Sequence, residues 1–366
     1  MKANIDIYSD YLLCSTSQAS ATNLSRLLNG DISHDSVTRF LNQGDLGSKE
    51  LWLGVKPLVR EHERMDGCLV FDDTVIEKEY SDENDVICWH YDHAKGSTVK
   101  GVNLLTGFYV TQKREDCESL RVPVMYEIVQ KPEFMCEVLT KKVIRKSTRT
   151  KNEMMRDMIM TAIRNQLLFK YVLADSWFSS SENMTFIHNA GKYFIFDLKD
   201  NRLAILKTGS SGNPDNNSKE WTSISDLDIP ENTPTAVWLK GISFALLLVK
   251  QVFKDENGNV TGYRFLVSND TGLSYDDFTT IYKKRWGVEE YHKSLKQNAS
   301  AAKSPTRTIR TQQNHLFCAI WAYIKLEQLK FQTALNHYQL KAKLYLKAIQ
   351  AAFGELTNIK AKACSA

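Results

Sequence analysis

"GCLVFDDTVI", Gly67–Ile76, decides the fold. Four apolar residues run straight into two aspartates, and β-branched residues come after them. That is a short buried strand whose end carries charge. Two more runs rich in β-branched and aromatic residues come next, "GVNLLTGFYVTQ" from Gly101 and "RVPVMYEIVQK" from Arg121. Met154, Met158, Ile159 and Ile163 then recur at helical spacing, which predicts a helix from about Lys151 to Leu168. "YVLADS" (Tyr171–Ser176) reads as a fourth strand and "SENMTFIHNAG" as a helix stopped by Gly191. "KYFIFDLK" (Lys192–Lys199) reads as a fifth strand.

The resulting order is three strands, a helix, a strand, a helix and a strand. It is the order of an α/β, ribonuclease-H-like core, a mixed sheet flanked by helices. We place its first part at 61–200. Residues 201–270 read as a β-rich insertion. "TGSSGNPDNNS" is a loop by composition, and "TAVWLKG", "ISFALLLVKQVF" and "GYRFLVSND" are strands, the last two joined through Asn257-Gly258. The core resumes at 271–330, where Ser274 and Asp277 resemble a capping box. Residues 331–366 continue as helix. Residues 1–60 form short helices: Leu24, Leu27 and Leu28, a stop at Asn29-Gly30, then a helix with Val37, Phe40 and Leu41 capped by Ser33 or Asp35. The pair fits a DNA-binding helix-turn-helix or a plain helical hairpin. As a DNA-binding arm it would be separable from a folded core.

With 366 residues, 43% hydrophobic and 25% charged, the chain has the composition of a globular protein with a sizeable core. A net charge of +4 excludes a polycation but allows local basic patches. Seven scattered cysteines without a CxxC pair point to reduced thiols, not to disulfides or zinc. The longest apolar run contains Lys250 and is too short for a membrane span. No signal-peptide pattern opens the chain. The expectation is a cytoplasmic, nucleoid-associated protein of a bacterium.

The remaining acid of interest lies in "IYKKRWGVEEYHKSLKQ", Ile281–Gln297. As one helix this aligns Tyr282, Arg285, Glu289, Lys293 and Lys296 on a stripe, beside an anchor of Ile281, Val288 and Leu295. In the expected fold the first and fourth strands are neighbours, so Asp72–Asp73 meets Asp175, and the helix brings Glu289 to them. Each acid also has a plain reading: a turn aspartate, a helix cap, or an i,i+4 pair of Arg285 with Glu289. Converging carboxylates repel one another, and oxygen ligands without a Cys/His cluster suit Mg²⁺ or Mn²⁺. Two such ions can serve phosphodiester chemistry. Of the two neighbouring aspartates, alternation with Phe71 favours Asp73 as the ligand.

"DDT" at Asp72–Thr74, "ADSWFSS" at Ala174–Ser180, and Tyr282, Arg285, Glu289 and Lys296 at Tyr-x2-Arg-x3-Glu-x6-Lys spacing together resemble the DDE transposases of the IS4-like superfamily, which includes IS701-type and Tn5-type enzymes. The resemblance spans about 65–330. It implies Asp73, Asp175 and Glu289 as a metal-binding catalytic triad, with Mg²⁺ or Mn²⁺, two ions, as cofactor. It implies DNA contacts by Tyr282, Arg285 and Lys296, with Lys293 on the same stripe. "DHAKGSTVKGVNLL" adds His93 and Lys100 near DNA, and Trp238 in the insertion stands where relatives receive a flipped base. The implied partners are the element's terminal inverted repeats, target DNA and a second protomer in a synaptic complex, with no membrane. Two basic runs, Lys141–Arg156 with seven cations and one acid, and Lys303, Arg307 and Arg310, add candidate phosphate contacts. The alternatives are a metal-dependent nuclease without strand transfer and a non-catalytic DNA-binding derivative. A two-carboxylate glycosidase is disfavoured by the basic helix.

Overall fold

The structure is a computed structural model that describes residues 2–92, 95–112, 119–136, 141, 143–207 and 221–364. Four helices come first: α1 (Ile5–Cys14), α2 (Ala21–Leu27), α3 (His34–Asn42) and α4 (Ser48–His62). Six strands come after them: β1 (Cys68–Glu77), β2 (Cys88–Asp92), β3 (Ser97–Val110), β4 (Arg121–Ile128), β5 (Glu133–Cys136) and β6 (Val143–Lys146). Then come α5 (Lys151–Arg164), β7 (Tyr171–Ala174), α6 (Ser181–Asn189), β8 (Tyr193–Leu198), β9 (Leu203–Leu206), β10 (Thr222–Ser223), β11 (Thr235–Leu239), β12 (Leu246–Lys254) and β13 (Val260–Ser268). The chain continues through α7 (Tyr275–Lys283), α8 (Trp286–Gln297), α9 (Ile309–Thr333) and α10 (His337–Cys364).

The central strands lie in the order β4-β3-β1-β7-β8, with β1–β7 and β7–β8 parallel and β1–β3 and β3–β4 antiparallel. This large mixed sheet flanked by helices is consistent with the ribonuclease-H-like order read from the sequence. Its register brings acids together. Phe71 pairs with Ala174 on parallel strands, so Asp72 and Asp175 come next along adjacent chains. The short strand β2 and the β5–β6 hairpin were not legible in the sequence pattern.

The 201–270 segment is rich in strands, and it extends the central sheet: β13 pairs with β8 and carries β12, β11, β9 and β10 outward. Residues 208–218 of its expected loop lie outside the described residues. The helices before β1 are not a detached arm. Tyr8 bonds the His315 ring at 3.0 Å, Ser9 donates to the Cys318 carbonyl, and Asn314 donates to Leu41. Leu12, Val37, Leu41 and Leu51 are buried in the main core. Ser33 caps α3 by accepting from the Ser36 amide, leaving Asp35 in the first turn.

Local rules explain most boundaries. Thr150 and Glu153 close a capping box on α5, which stops at Arg164, short of the expected Leu168, because Gln166 takes a left-handed backbone. Ser274 and Asp277 form the expected capping box on α7. No helix among the described residues is long and apolar enough to cross a membrane.

Candidate functional site

The stretch read as one helix is two. α7 ends at Lys283, α8 starts at Trp286, and the turn between them is tightened by i→i−3 bonds from the Lys284, Arg285, Gly287 and Val288 amides. Val288, Tyr291, His292 and Leu295 bury one face of α8 against the sheet, with Tyr291 stacked on Phe108 at 5.1 Å. This seats Glu289 at the edge of the packed face. Arg285 and Glu289 form an ion pair.

The five residues of the expected stripe do not stay together. Tyr282, Arg285 and Glu289 do: the Tyr282 ring is buried, with the Arg264 and Arg285 guanidinium groups 5.6 and 5.7 Å from its centre. Lys293 turns toward the Tyr338 ring at 5.6 Å, lining a cavity of about 610 Å³ between α8, α9 and α10 whose wall includes Glu289. Lys296 is half-buried further along, near Asp92 and Glu77, and burial pulls its pKa down. Lys100 lies on β3 opposite Trp89. His93 lies outside the described residues. Trp238 is buried on β11, with Lys207 5.4 Å from its ring centre.

The two neighbouring aspartates go to opposite faces of β1. Asp72 pairs across from Thr106, and an Asp72 oxygen lies 3.8 Å from His292 Nδ1 of α8. Asp73 faces α5. Lys151 Nζ lies 2.6 Å from one of its oxygens, and Asn103 donates to the other at 2.8 Å. Lys151 Nζ also stands 4.8 Å from the Trp177 ring centre, and the Trp177 amide donates to Asp175 at 3.0 Å. Asp175 sits between the two faces, within electrostatic reach of Arg285 and Lys151.

Crowding shows in the titration. Burial, then Asp175 and Asp73, push the Asp72 carboxyl up to about 7, against the pull of Arg285. Burial also raises Asp175. A further acid that the sequence reading missed, Asp197 on β8, is pushed up to about 6 by burial, with Asp175 adding to the shift and Arg264 opposing it. Its only signal was the acid closing "YFIFD" on a strand next to β7. Lys151 was hidden in a basic run. His292 is held neutral, its pKa pressed down to about 3 by burial.

These carboxylates are the hard oxygen donors that Mg²⁺ or Mn²⁺ takes. Yet among the described residues no three His, Cys, Asp or Glu side chains stand close enough to hold one ion. Arg285 holds Glu289, and Lys151 holds Asp73. The donor chemistry fits a divalent ion; gathering the donors requires those two cations to give way. The basic runs are likewise engaged: Arg145 pairs with Glu83 and Asp85, Arg149 with Asp157, and Arg310 with Asp45.

No curated protein matches the chain. Two family models do. One, described as a DDE superfamily endonuclease, matches residues 1–215, and the other, a transposase DDE domain, matches residues 134–325. Between them they cover β1, β7 and α8, the elements that carry Asp72, Asp73, Asp175 and Glu289. The chain belongs to the DDE superfamily, as an endonuclease of the transposase type.

Proposed function

We propose that the chain is an IS4-like transposase that cuts at the ends of an insertion element and joins the freed 3′-hydroxyl to target DNA. The observation that supports this most is the in-register pairing of β1 and β7, which sets the Asp72–Asp73 pair beside Asp175 with the Arg285–Glu289 pair of α8 packed nearby. Asp73, Asp175 and Glu289 would hold the divalent ions, which DDE nucleases generally use. When bound, such ions supply charge stabilisation and an activated oxygen for phosphodiester cleavage.

The chain's own groups do the rest. Arg285, released from Glu289, gains a phosphate oxygen as its partner, and Lys151 does the same on the other face. Lys100, Lys293, Lys296 and His93 would steady the backbone on either side, and the Tyr282 ring braces the guanidinium groups of Arg264 and Arg285. Asp72 is a second candidate for the place given to Asp73, because it is Asp72 that faces the helix carrying Glu289. The α2–α3 pair would read the element's ends, with the polar side of α3 (Thr38, Arg39) exposed to the groove. Domain limits of 1–60, 61–200, 201–270, 271–330 and 331–366 remain our division by role, and two protomers would hold two ends.

The test is a cleavage and joining assay in Mg²⁺ on the DNA that flanks the gene. Inverted ends there, cut and then joined by wild type, support the reading. Cleavage without joining would leave the hydrolytic nuclease. Binding without cleavage would leave the non-catalytic derivative.

A further inference from the structure

Three adjacent parallel strands carry an acid at the same level. Phe71 of β1, Ala174 of β7 and Phe196 of β8 stand in one row of the sheet, so Asp72, Asp175 and Asp197 are the next residues along. In-register residues of parallel strands share a face. Asp197 therefore lies on the α8 face with Asp72, and both acids feel the charge of Arg285. The next strand, β13, runs antiparallel to β8 and sets Leu266 across from Asp197, which makes Arg264 a diagonal neighbour of that acid. Arg264 Nε lies 3.8 Å from an Asp197 carboxylate oxygen.

Arg264 is braced more than it is paired. Its guanidinium carbon lies 5.6 Å from the centre of the Tyr282 ring and 5.5 Å from that of Phe253. At 3.8 Å the carboxylate is beyond direct hydrogen-bond reach, and among the described residues no hydrogen bond engages the guanidinium. Its fork of N–H donors stays open. Arg285, 5.7 Å from the centre of the same Tyr282 ring, is by contrast closed by Glu289. Arg264 and Phe253 form the shared wall of two pockets of about 370 and 250 Å³. The first also holds Asp197, Lys199 and Asp200, and the second Lys283 and Arg285. Together they make a trough that leads from Asp197 over Arg264 to Arg285, with four cations against two acids.

We infer that Arg264 is a phosphate-binding residue, brought to the site by the strands of the 201–270 segment, and that Asp197 is the positioning residue that holds it there. The inference rests on the DNA-cutting function proposed above, because a phosphodiester strand is the anion that such a trough takes. Two arginines on one tyrosine ring offer two forks to the strand beside the carboxylates. Without Asp197, the charges of Arg285 and Lys283 would drive the Arg264 guanidinium toward solvent. At 3.8 Å the carboxylate is near enough to balance that repulsion and too far to occupy the donors. Arg264 thus needs no partner to leave before it takes a phosphate, whereas Arg285 must first part from Glu289. Asp197 helps an anion to bind, against the sign of its own charge.

The test is binding of the full chain, at pH 8 and without metal, to a duplex taken from the DNA that flanks the gene, over a range of salt concentrations. Arg264→Gln should weaken binding by about tenfold and lower the slope of log affinity against log salt by about one. Arg264→Lys keeps the charge and should restore the slope. Asp197→Asn should weaken binding by about threefold or more, although it makes the chain more positive, and in the Arg264→Gln background it should weaken binding no further. Both residues are half-buried, so the variants should melt as wild type does. An unchanged slope in Arg264→Gln would overturn the phosphate contact. An Asp197→Asn change that tightens binding in both backgrounds would make the acid a mere repellent and overturn its positioning role. A wild type that binds no duplex would overturn the DNA-cutting function, and this inference with it. A chain that shows the slope loss yet never cleaves in Mg²⁺ would count against the proposed function alone.

Discussion

The two faces of β1 carry adjacent aspartates of equal exposure, 18% of each side chain, yet their surroundings treat them differently. On the α5 face, Asp73 is held by Lys151 and Asn103. On the α8 face, Asp72 has a histidine kept neutral 3.8 Å away, with Asp175 and Asp73 repelling it and Arg285 committed to Glu289. Burial raises the Asp72 carboxyl first and its acid neighbours add to it, so what distinguishes the two faces at equal exposure is the partners that each offers. One face has a ready-made counter-ion. The other stores repulsion that a cation would relieve.

The largest expected effect tests whether the two faces serve one site. Glu289→Gln and Asp175→Asn keep size while removing charge. Each should lose DNA cleavage in Mg²⁺ by several orders of magnitude and leave DNA binding near wild type, because Arg285 and Lys151 remain. Cleavage and gel-shift assays on the same preparations check this. An active Glu289→Gln protein would remove α8 from the site and with it the comparison.

Next in size is the choice between the faces themselves. We expect Asp73→Asn to match Asp175→Asn, and Asp72→Asn to keep more activity. The reverse result would give the ligand role to the α8 face, as the orientation of Asp72 suggests. The same substitution has a stability readout that needs no metal. Asp72 holds its proton more tightly in the fold than in the unfolded chain, because its folded pKa is about 7 against an ordinary 3.8. Its contribution to stability is thus best at low pH and falls as pH rises from about 4 through 7. Asp72→Asn should therefore stabilise the chain more at pH 8 than at pH 5, by about 1–2 kcal/mol. Thermal melts at the two pH values decide it, and an equal shift at both would mean that Asp72 is not crowded.

Periodicity made the five central strands legible in the sequence, because each alternates or runs apolar between turn signals. Their order implied that the ends of β1 and β7 meet. The side of the sheet on which each aspartate falls was not readable: both faces of β1 are buried, so Phe71 pointing into "the core" did not choose between them. The break at Lys284–Arg285 escaped because both residues keep right-handed helical dihedrals and only their hydrogen bonds change. The unity of α1–α4 with the core rests on contacts to α9 some 300 residues later, such as Tyr8 with His315, which no local pattern contains. Deleting residues 1–60 should therefore uncover the core and yield a chain without a cooperative melt, where a separable arm would leave the melt intact.

A smaller effect sharpens the comparison from the α5 side. Lys151→Met frees Asp73 of its partner and leaves a carboxylate in a mostly covered position. That should destabilise the fold by about 1–3 kcal/mol. It should also strengthen binding of Mn²⁺ if Asp73 is a ligand, since the ion no longer competes with an ammonium group. Calorimetric titration with Mn²⁺ reads this directly, and unchanged affinity would place Asp73 outside the metal set.

The smallest effect belongs to the neighbour of the sharpest residue. Glu290 is one position from Glu289, but one helical step turns it about 100° away. There it pairs with Arg121 at 2.6 Å, with the two side chains 54% and 39% exposed. Such a pair is screened by water, so Glu290→Gln should change stability by less than about 1 kcal/mol. It should leave cleavage within a few-fold of wild type, because the residue neither faces Asp175 nor holds Arg285. The pair of variants at 289 and 290 thus isolates position from charge: the same chemical change on the same helix, at the partner of Arg285 or at the partner of Arg121. If Glu290→Gln were as inactive as Glu289→Gln, the loss would come from the net charge of α8, and the distinction between the faces would have no bearing on catalysis.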